Sequence, residues 1–261
     1  MQGRRIRGGR VSASALVCRT ALSFLGGVDP TDGRILDPEC DEKGSSVKGS
    51  VLCFPYGKGS TVGSYSIYQL KLNNAAPEAI VNLSAEPIVA TGAIISGIPM
   101  VDKIDISLLR SSDRVTVDGD TGTVEVHDLE ERHVVTSVLR NKGQILVMKR
   151  SDEVGSFRGK WACVSGFIES DESDLDAAIR EVREETGLKG IELANRIPLE
   201  RFRDLKAVWA VHPFLFDVPR REIMLDWEHD EFRWIAPEQL TSYGCVPGLE
   251  AVVDRLLRPD C

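Results

Sequence analysis

The chain has 261 residues, which is enough for about two domains of ordinary size. Its composition, 42% hydrophobic and 28% charged, is that of a folded protein and excludes a largely disordered chain. The net charge of −8 argues against a general nucleic-acid-binding surface, and no apolar run reaches the length of a membrane-spanning helix. We therefore expect no nucleic-acid partner and no membrane segment.

The first 25 residues carry arginines ahead of an apolar patch, an order that superficially resembles a secretory signal. Arg19 interrupts the patch and no cleavage site follows, so we expect strands of a cytoplasmic protein there. The cysteines are scattered without a CxxC pair, and their spacing indicates neither disulfides nor a zinc or iron–sulfur site. Free thiols are expected at Cys18, Cys40, Cys53, Cys163, Cys245 and Cys261.

The texture of the sequence changes near residue 128, which predicts one domain over residues 1–128 and a second over residues 129–261. The acidic stretch 128–132 is the predicted linker. The first half is rich in Gly, Ser and short β-branched runs, and it predicts a small β-rich domain with a hairpin turn at 118–122. Its predicted strands are 50–54, 67–72, 79–83, 115–117 and 124–126.

Strand and helix signals alternate in the second half, which predicts a mixed α and β class. A helix is expected over 175–185, with Gly187 ending it. A second, amphipathic helix is expected over 248–257. The predicted strands are 134–139, 145–149, 207–216 and 232–235, with a turn at 141–143.

Three glutamates share one face of the first predicted helix, because residues three and four positions apart lie on the same side. They are Glu181, Glu184 and Glu185, next to an apolar face of Leu175, Ala178, Ile179 and Val182 that would pack on a sheet. Carboxylates packed so closely repel, and a proton or a hard divalent cation relieves the repulsion. Mg²⁺ with oxygen ligands suits this role and phosphate chemistry. A solvated acidic helix face is the ordinary alternative.

The acidic helix belongs to a longer pattern over residues 166–188. It has the form Gly-x5-Glu-x7-Arg-Glu-(aliphatic)-x-Glu-Glu-x-Gly-(aliphatic), and all nine specified positions match. At about 7% usage for each fixed residue, a chance match is on the order of 10⁻⁸ per start position. The pattern resembles the Nudix box, and the segments 159–161 and 234–240 resemble its usual flanks.

The Nudix resemblance implies an α/β/α sandwich, Mg²⁺ or Mn²⁺ as cofactor, and hydrolysis of a diphosphate linked to another group. It implies that Glu181, Glu184 and Glu185 are catalytic metal ligands. The box residues with implied supporting roles are Gly166, Glu172, Arg180 and Gly187. The general base varies within the family, so a box glutamate, Glu228 and Glu231 remain alternatives. The intact box and the setting of Cys163 differ from the Nudix-fold isopentenyl diphosphate isomerases and favour hydrolysis over isomerisation.

The substrate stays open between a nucleotide-linked and a prenyl diphosphate. Four cations are candidates for binding phosphate, although each is more ordinarily a surface charge: Lys149, Arg150, Arg158 and Lys160. Three tryptophans are candidates for stacking on a base, although packing is their commoner role: Trp161, Trp209 and Trp227.

The first half has one chemically suggestive loop, residues 55–65, with three glycines, three Ser or Thr hydroxyls and a lysine. Glycines let backbone N–H groups turn towards an anion, and Lys58 adds a positive charge. Gly59 separates that lysine from Ser60, so the loop is not a Walker A motif. On these residues alone, a turn between strands is the ordinary interpretation.

The loop lies within a longer resemblance, over about residues 3–126, to the small swivelling-domain subunit of the aconitase X family, which includes archaeal phosphomevalonate dehydratase small subunits. The segments that carry it are 54–70 and 90–102, with support from 9–16, 24–31, Asn82 and Glu86. The resemblance implies a heterodimer in which a large subunit holds the iron–sulfur cluster. It implies that Ser60 is the catalytic base, helped by flanking N–H groups and the lysine charge. The implied substrate contacts are Lys58, Gly59 and Thr61.

The expected fold class is therefore α/β and α+β in two domains, a swivelling β/β/α domain followed by a Nudix α/β/α sandwich. The expected function is a fusion of a dehydratase small subunit of the mevalonate pathway with a Mg²⁺-dependent Nudix hydrolase. Two alternatives remain. In one, only the hydrolase works and the swivel domain is a docking module; in the other, the dehydratase role is primary and the Nudix half senses a diphosphate.

Overall fold

The structure, a computed structural model, describes residues 1–204 and 207–258. It divides into two compact units, Met1–Leu129 and Glu130–Cys261. Among the described residues no helix combines the length and apolarity needed to cross a bilayer. The predicted free thiol at Cys261 lies outside the described residues.

The first unit is built on a 7-stranded sheet with two helices. In chain order its elements are β1 (Arg4–Arg7), β2 (Arg10–Val17), β3 (Leu22–Ser23), β4 (Val51–Phe54), β5 (Gly57–Lys58), α1 (Gly63–Leu72), β6 (Ala79–Asn82), α2 (Pro87–Ser96), β7 (Met100–Asp102), β8 (Arg114–Asp118) and β9 (Thr123–Val126). The sheet order is β1-β7-β6-β4-β2-β8-β9, and its centre, β2, β4, β6 and β7, is parallel. The short strands β3 and β5 pair separately, in parallel.

Both faces of this sheet are buried, because alternate residues of a strand point to opposite faces. In β4, Leu52 and Phe54 join a core cluster that includes residues of α1 and α2. Val51 and Cys53 join a second cluster that includes residues of β8 and β9. The continuous apolar run of β4 is therefore that of a strand covered on both sides.

One predicted strand of the first unit, 67–72, is wrong, because these residues belong to the helix α1. Ile67 and Leu70 are buried at helical spacing and belong to the same core cluster as residues of α2. A Cβ at Gly92 of α2 would lie 2.6 Å from Ile67 Cδ1, so the helices approach closely where Gly92 has no side chain. The other four predicted strands agree with β4, β6, β8 and β9, and the predicted turn joins β8 to β9.

The second unit is an α/β/α sandwich. In chain order its elements are β10 (Glu130–Asn141), β11 (Gln144–Arg150), β12 (Trp161–Ala162), β13 (Val164–Phe167), α3 (Asp174–Thr186), β14 (Glu192–Arg196), β15 (Glu200–Arg203), β16 (Ala207–Asp217), β17 (His229–Ile235) and α4 (Leu249–Leu257). Its sheet runs β12-β11-β10-β16-β14, with β13 on β10, β15 on β16 and β17 on β11. The cluster under α3 and the cluster under α4 take alternate residues of β10, such as Leu139 and Val138, so the helices cover opposite faces.

Two details of the second unit differ from expectation. The predicted linker runs over 128–132, whereas β10 already begins at Glu130, which pairs with Ala207 in a long parallel ladder with β16. The charged residues 130–132, which the sequence places in a linker, are therefore part of a paired strand. On α3, Ile179 is 43% exposed and does not pack on the sheet, and Ala177 is buried in its place.

Candidate functional site

The helix α3 starts and ends as its sequence predicts. Ser173 is the N-cap, and its Oγ accepts a hydrogen bond from the Asp176 N–H at 3.1 Å. Gly187 ends the helix in the left-handed conformation with φ 68°, and its N–H donates to the carbonyl of Arg183. These two caps fix which turns of the helix carry the three glutamates.

The three glutamates differ in their surroundings. The side chain of Glu185 is 3% exposed, that of Glu181 is 13% exposed, and that of Glu184 is 58% exposed. Glu185 Oε1 accepts a hydrogen bond from the Ser165 N–H at 3.2 Å, while its Oε2 is buried without a hydrogen-bond partner. His229 Nε2, also buried without a hydrogen-bond partner, lies 3.7 Å from that oxygen. A buried carboxylate oxygen in this state is a ready ligand for a cation.

Burial dominates the electrostatics of the cluster. It raises the pKa of Glu185 well above the usual 4.5, and the charges of Glu181, Asp226 and Glu228 raise the pKa further. Burial also raises the pKa of Glu181, against the opposing effect of Arg180. Mutual repulsion, the cause expected from the sequence, is the smaller contribution.

Arg180 ties the box together. Its guanidinium donates to both oxygens of Glu172, at 2.6 and 3.1 Å, and to Glu181 Oε1 at 2.7 Å. It also donates to Glu184 Oε2 at 3.2 Å and to the carbonyl of Phe167 at 3.0 Å. This bidentate pairing holds the pKa of Glu172 below its usual range. Arg180 thus connects Glu172 to the carbonyl of Phe167 in β13.

Gly166 makes room for a carboxylate. It lies in β13, and a Cβ built on it would be 1.8 Å from Glu181 Oε1. Its φ is not in the left-handed region, so close approach and not backbone freedom is the reason for glycine here. The supporting role that the Nudix resemblance implies for Gly166 is therefore consistent with this contact.

A cavity of about 390 Å³ lies beside the box. Its lining includes the carboxylates of Glu181 and Glu228 together with Arg150. An aromatic group joins them: the ring of Trp209 lies 5.8 Å from that of Phe157 and 6.1 Å from that of Phe167 between centroids. Other lining residues are Val134, Thr136, Ser156, Ala162, Ser165, Gly166, Glu169, Arg180, Phe202, Arg203, Asp204, Val211, Val246, Pro247, Gly248, Leu249 and Val252. The arrangement places acidic, cationic and aromatic groups around one space.

The other candidates for the base and for stacking lie elsewhere. Glu231 is on β17, where its Oε1 accepts a hydrogen bond from Arg233 at 2.7 Å. Trp161 packs edge-on against Tyr243 in the core, and Trp227 is 64% exposed. Of the four candidate cations, Arg150 lines the cavity, and Arg158 Nε donates to the carbonyl of Val154 at 2.8 Å. Lys149 belongs to β11, and Lys160 directly precedes β12.

Several residues of this site are absent from the sequence prediction. His229 is buried between Glu185 and Asp226, whose Oδ1 lies 2.9 Å from its Nδ1. Phe157 and Asp204 line the cavity, and Asp204 Oδ2 accepts a hydrogen bond from Trp209 Nε1 at 2.9 Å. A lone histidine or phenylalanine carries no sequence signal of its own. Phe157 does have a positive φ of 51°, which is unusual for a bulky residue.

The donor set fits Mg²⁺ or Mn²⁺. The box glutamates offer oxygen atoms only, which hard divalent cations prefer. The buried Glu185 Oε2 has no hydrogen-bond partner, and a cation would supply the missing interaction. Glu181 and Glu184 would hold the ion with it, and Arg180 already fixes both of their side chains.

In the first unit, residues 59–62 (the Ser60 loop) connect β5 to α1. Ser60 is exposed, and its Oγ accepts a weak hydrogen bond from the Val62 N–H at 3.4 Å. Gly59 has a φ of 106°, a conformation that L side chains rarely adopt. The hydroxyl therefore lies at the surface, beside backbone N–H groups that lead into a helix.

Lys58 does not direct its charge to Ser60 in this structure. Its Nζ lies 3.2 Å from Asp37 Oδ2 and also pairs with Glu39. Asp37 is 5% exposed and accepts hydrogen bonds from the Ser23 and Glu39 N–H groups as well. The expected help to a serine base from Lys58 would need this ion pair to open.

Comparisons with known proteins separate the two units. Residues 1–126 match the model of the aconitase X swivel domain, and residues 130–256 match that of the NUDIX domain. The phosphomevalonate dehydratase small subunit of Thermococcus sibiricus is 60% identical over 128 residues, which is 49% of this chain and 98% of that protein. The one of Methanocella arvoryzae is 54% identical over 129 residues, 48% of this chain and 98% of that protein.

Two solved structures are each similar to about half of the chain. The chain is similar to Thermococcus kodakaraensis aconitase X in its holo-form, with 57% identity over 48% of this chain and 95% of that chain and a TM-score of 0.48. It is similar to the MutT protein of Methanosarcina mazei Go1, with 25% identity over 49% of this chain and 94% of that chain and a TM-score of 0.43. The two family models and the identity to the small subunits show that the chain belongs to the aconitase X swivel-domain family through its first unit and to the Nudix family through its second, as a fusion of the two.

Proposed function

We propose that the second unit hydrolyses a diphosphate linkage with Mg²⁺ or Mn²⁺ held by Glu181, Glu184 and Glu185. The observation that carries this proposal is the buried Glu185, whose Oε2 has no hydrogen-bond partner, next to a cavity lined by Glu181. A purely structural buried carboxylate would be expected to have both oxygens satisfied. The intact Nudix box supports the same assignment.

The residues of the chain have separate parts in this reaction. When bound, the cation would neutralise diphosphate oxygens and make water a better nucleophile. Arg180 holds Glu181 in place, and Gly166 leaves the space that this carboxylate fills. We assign Glu228 as the base that accepts the proton of the attacking water, because it lines the cavity and is outside the proposed ligand set. Arg150, on the cavity wall, would bind a phosphate oxygen.

The lining of the cavity favours a nucleotide-linked diphosphate over a prenyl diphosphate. Trp209, with Phe157 and Phe167 around it, offers an aromatic surface on which a base could stack. Asp204 and Ser156 add polar groups to the same lining. An aliphatic chain would desolvate these groups without bonding them, whereas a base and its ribose can form hydrogen bonds.

A hydrolysis panel tests both parts of this proposal. Phosphate release by the full chain is measured with Mg²⁺ on nucleotide-linked and on prenyl diphosphates, with and without a chelator. We expect chelator-sensitive turnover that is faster on the nucleotide-linked compounds. Turnover confined to prenyl diphosphates would refute the substrate class but keep the hydrolase. The absence of turnover on every compound would favour the sensor alternative.

We further propose that the first unit works as the small subunit of a dehydratase, with an aconitase X-type large subunit that holds the iron–sulfur cluster. High identity to proteins called phosphomevalonate dehydratase small subunits supports this. Ser60 would remove a proton from the substrate in the shared site, and Gly59, Thr61 and Lys58 would contact that substrate. For Lys58 this requires exchange of its carboxylate partner Asp37 for the substrate.

The outer faces of α1 and α2 carry exposed apolar side chains that favour an interface with a large subunit. Tyr65 and Leu72 of α1 are 66% and 62% exposed, and Ile94 of α2 is 55% exposed. Large apolar side chains exposed on neighbouring helices mark a protein–protein interface. We propose that the large subunit covers this face.

Co-purification tests the partner. The full chain is expressed with a tagged large subunit from an organism whose small subunit is a relative of this chain. We expect a heterodimer that Leu72→Asp weakens at least about tenfold, because a charge would be buried in the contact. Leu193→Asp is the matched control, since Leu193 is also an exposed leucine but lies on β14 of the second unit. Equal capture of both variants would contradict the proposed face.

A further inference from the structure

Two cysteines that are far apart in the sequence meet in the first unit. Cys18 follows β2 and Cys40 lies in a turn, yet their sulfur atoms and a carboxylate oxygen of Asp41 lie within 4.8 Å of one another. The thiols are buried, at 0% and 4% exposure, whereas Asp41 is exposed. Cys40 Sγ donates to Asp41 Oδ1 at 3.8 Å. Three potential ligands therefore converge at a point that opens to solvent on one side.

The fold holds these donors in place through the backbone. The Cys18 N–H donates to the carbonyl of Cys53 in β4, at 2.8 Å. The Cys40 N–H donates to the carbonyl of Asp37 at 3.2 Å. Asp41 Oδ1 accepts a hydrogen bond from the Arg19 N–H at 2.9 Å. The arrangement is thus built on a strand end and a hydrogen-bonded turn, and not on mobile side chains alone.

The surroundings of the thiols are acidic. Burial raises the pKa of both thiols. For Cys18 the contact with Cys40 raises it further, followed by the charges of Asp41 and Glu42. For Cys40 the contact with Cys18 and a hydrogen bond from the Glu42 N–H lower the pKa, while the charges of Asp41 and Asp37 raise it. The same negative potential that opposes a bare thiolate favours a bound cation.

We propose that Cys18, Cys40 and Asp41 form a binding site for a thiophilic divalent cation of the Zn²⁺ class. Two sulfur ligands and one carboxylate oxygen are a donor set that Zn²⁺ accepts, with water at the fourth, solvent-facing position. Binding would release the two thiol protons to solvent. The third donor and the acidic surroundings favour a metal over a disulfide, because a disulfide would make no use of Asp41.

The site lies on the segment that holds the Ser60 loop. Cys40 is three residues after Asp37, the buried partner of Lys58. The Glu39 carbonyl between them accepts a hydrogen bond from Thr20 Oγ1 at 2.9 Å. An ion on Cys18 and Cys40 would therefore fix the turn that positions the carboxylates around Lys58.

Cobalt binding by the full chain tests this site without any assay of activity. Reduced, metal-free protein is titrated with Co²⁺ while absorption is recorded. We expect a sulfur-to-cobalt charge-transfer band together with the strong visible bands of a four-coordinate ion, saturating at one equivalent. The Nudix box does not interfere with the band, since its ligands are oxygen atoms. Added Zn²⁺ is expected to displace Co²⁺ and bleach the spectrum.

Variants locate the ion. Cys18→Ser and Cys40→Ser are expected to lose the charge-transfer band, whereas Cys245→Ser, which removes a thiol of the second unit, retains it. Asp41→Asn is expected to keep the band but to weaken affinity at least about tenfold. If Cys18→Ser fails to fold by circular dichroism, Cys40→Ser and the exposed Asp41→Asn carry the test.

Three results would overturn the proposal. One is the absence of the band in the reduced wild-type chain. Another is a band of equal intensity in Cys40→Ser. The third combines two observations: mass spectrometry finds a Cys18–Cys40 disulfide in air-exposed protein, and the same protein takes up no cobalt after reduction. The pair would then be a redox couple and not a metal site.

Discussion

Replacing Gly166 by alanine perturbs the proposed metal site through one contact. The new Cβ would lie 1.8 Å from Glu181 Oε1 and 1.9 Å from its Cδ, where ordinary contact begins at 3.4 Å. The carboxylate must therefore retreat by about 1.6 Å, since the strand β13 is fixed by its pairing with β10. That movement also breaks the 2.7 Å hydrogen bond from Arg180, an interaction worth about 1–3 kcal/mol. Misplacement of a ligand on this scale costs about a hundredfold in rate.

The assay compares kcat with Mg²⁺ for Gly166→Ala, wild type and Gly155→Ala. The control suits this purpose because a Cβ at Gly155 meets nothing within 4 Å and its backbone φ is not left-handed. We expect about a hundredfold loss for Gly166→Ala and a change within about twofold for Gly155→Ala. Mn²⁺ binding, followed by electron paramagnetic resonance, should weaken in parallel. Wild-type turnover and Mn²⁺ affinity in folded Gly166→Ala would refute the steric argument.

Four further changes have defined outcomes. Glu185→Gln should abolish hydrolysis and, without metal, unfold at a higher urea concentration than the wild type near pH 7. The folded-state pKa of Glu185 is raised, so its ionisation destabilises the wild type above the usual value of 4.5, and the difference in urea midpoint should close as the pH falls towards 4.5. A difference that does not depend on pH would be inconsistent with this reasoning. Arg180→Lys should lower kcat at least about tenfold and reduce stability at neutral pH. The folded pKa of Glu172 is lowered by Arg180, so ionised Glu172 stabilises the wild type above its unfolded pKa, and this effect is lost in acid. Equal stability of the two proteins at pH 7 would argue against the Arg180–Glu172 pairing. Trp209→Ala should raise KM about tenfold for nucleotide-linked diphosphates, and an unchanged KM would remove the stacking surface from the account. Ser60→Ala should leave hydrolysis unchanged while removing dehydratase activity reconstituted with a large subunit, and retained dehydration would show that Ser60 is not the base.

The box helix and most strands are predictable because their signals are local. Helical spacing and Gly187 predict α3 without any tertiary information. The strand predicted at 67–72 is wrong because a β-branched residue and its apolar neighbours fit either period. Ile67 packs against Gly92 of α2, and this tertiary contact favours the helix over the strand.

The sequence singles out the three box glutamates, which remain a proposed ligand set, but it does not predict their different surroundings. Glu184 and Glu185 are adjacent in the sequence, yet one is exposed and the other buried, since the sheet under α3 covers only one side of the helix. The cavity combines Trp209 of β16 with Phe157, which lies in a segment between β11 and β12, and no spacing rule links them. Convergence of this kind depends on the order of strands in the sheet.

The most direct measurement is Mg²⁺-dependent turnover of the wild-type chain beside Glu181→Gln, Glu184→Gln and Glu185→Gln, each checked for folding by circular dichroism. The proposed ligand set predicts chelator-sensitive hydrolysis by the wild type and losses of at least about a hundredfold in all three variants. Chelator-resistant hydrolysis, or wild-type turnover in the folded Glu185→Gln chain, would contradict it.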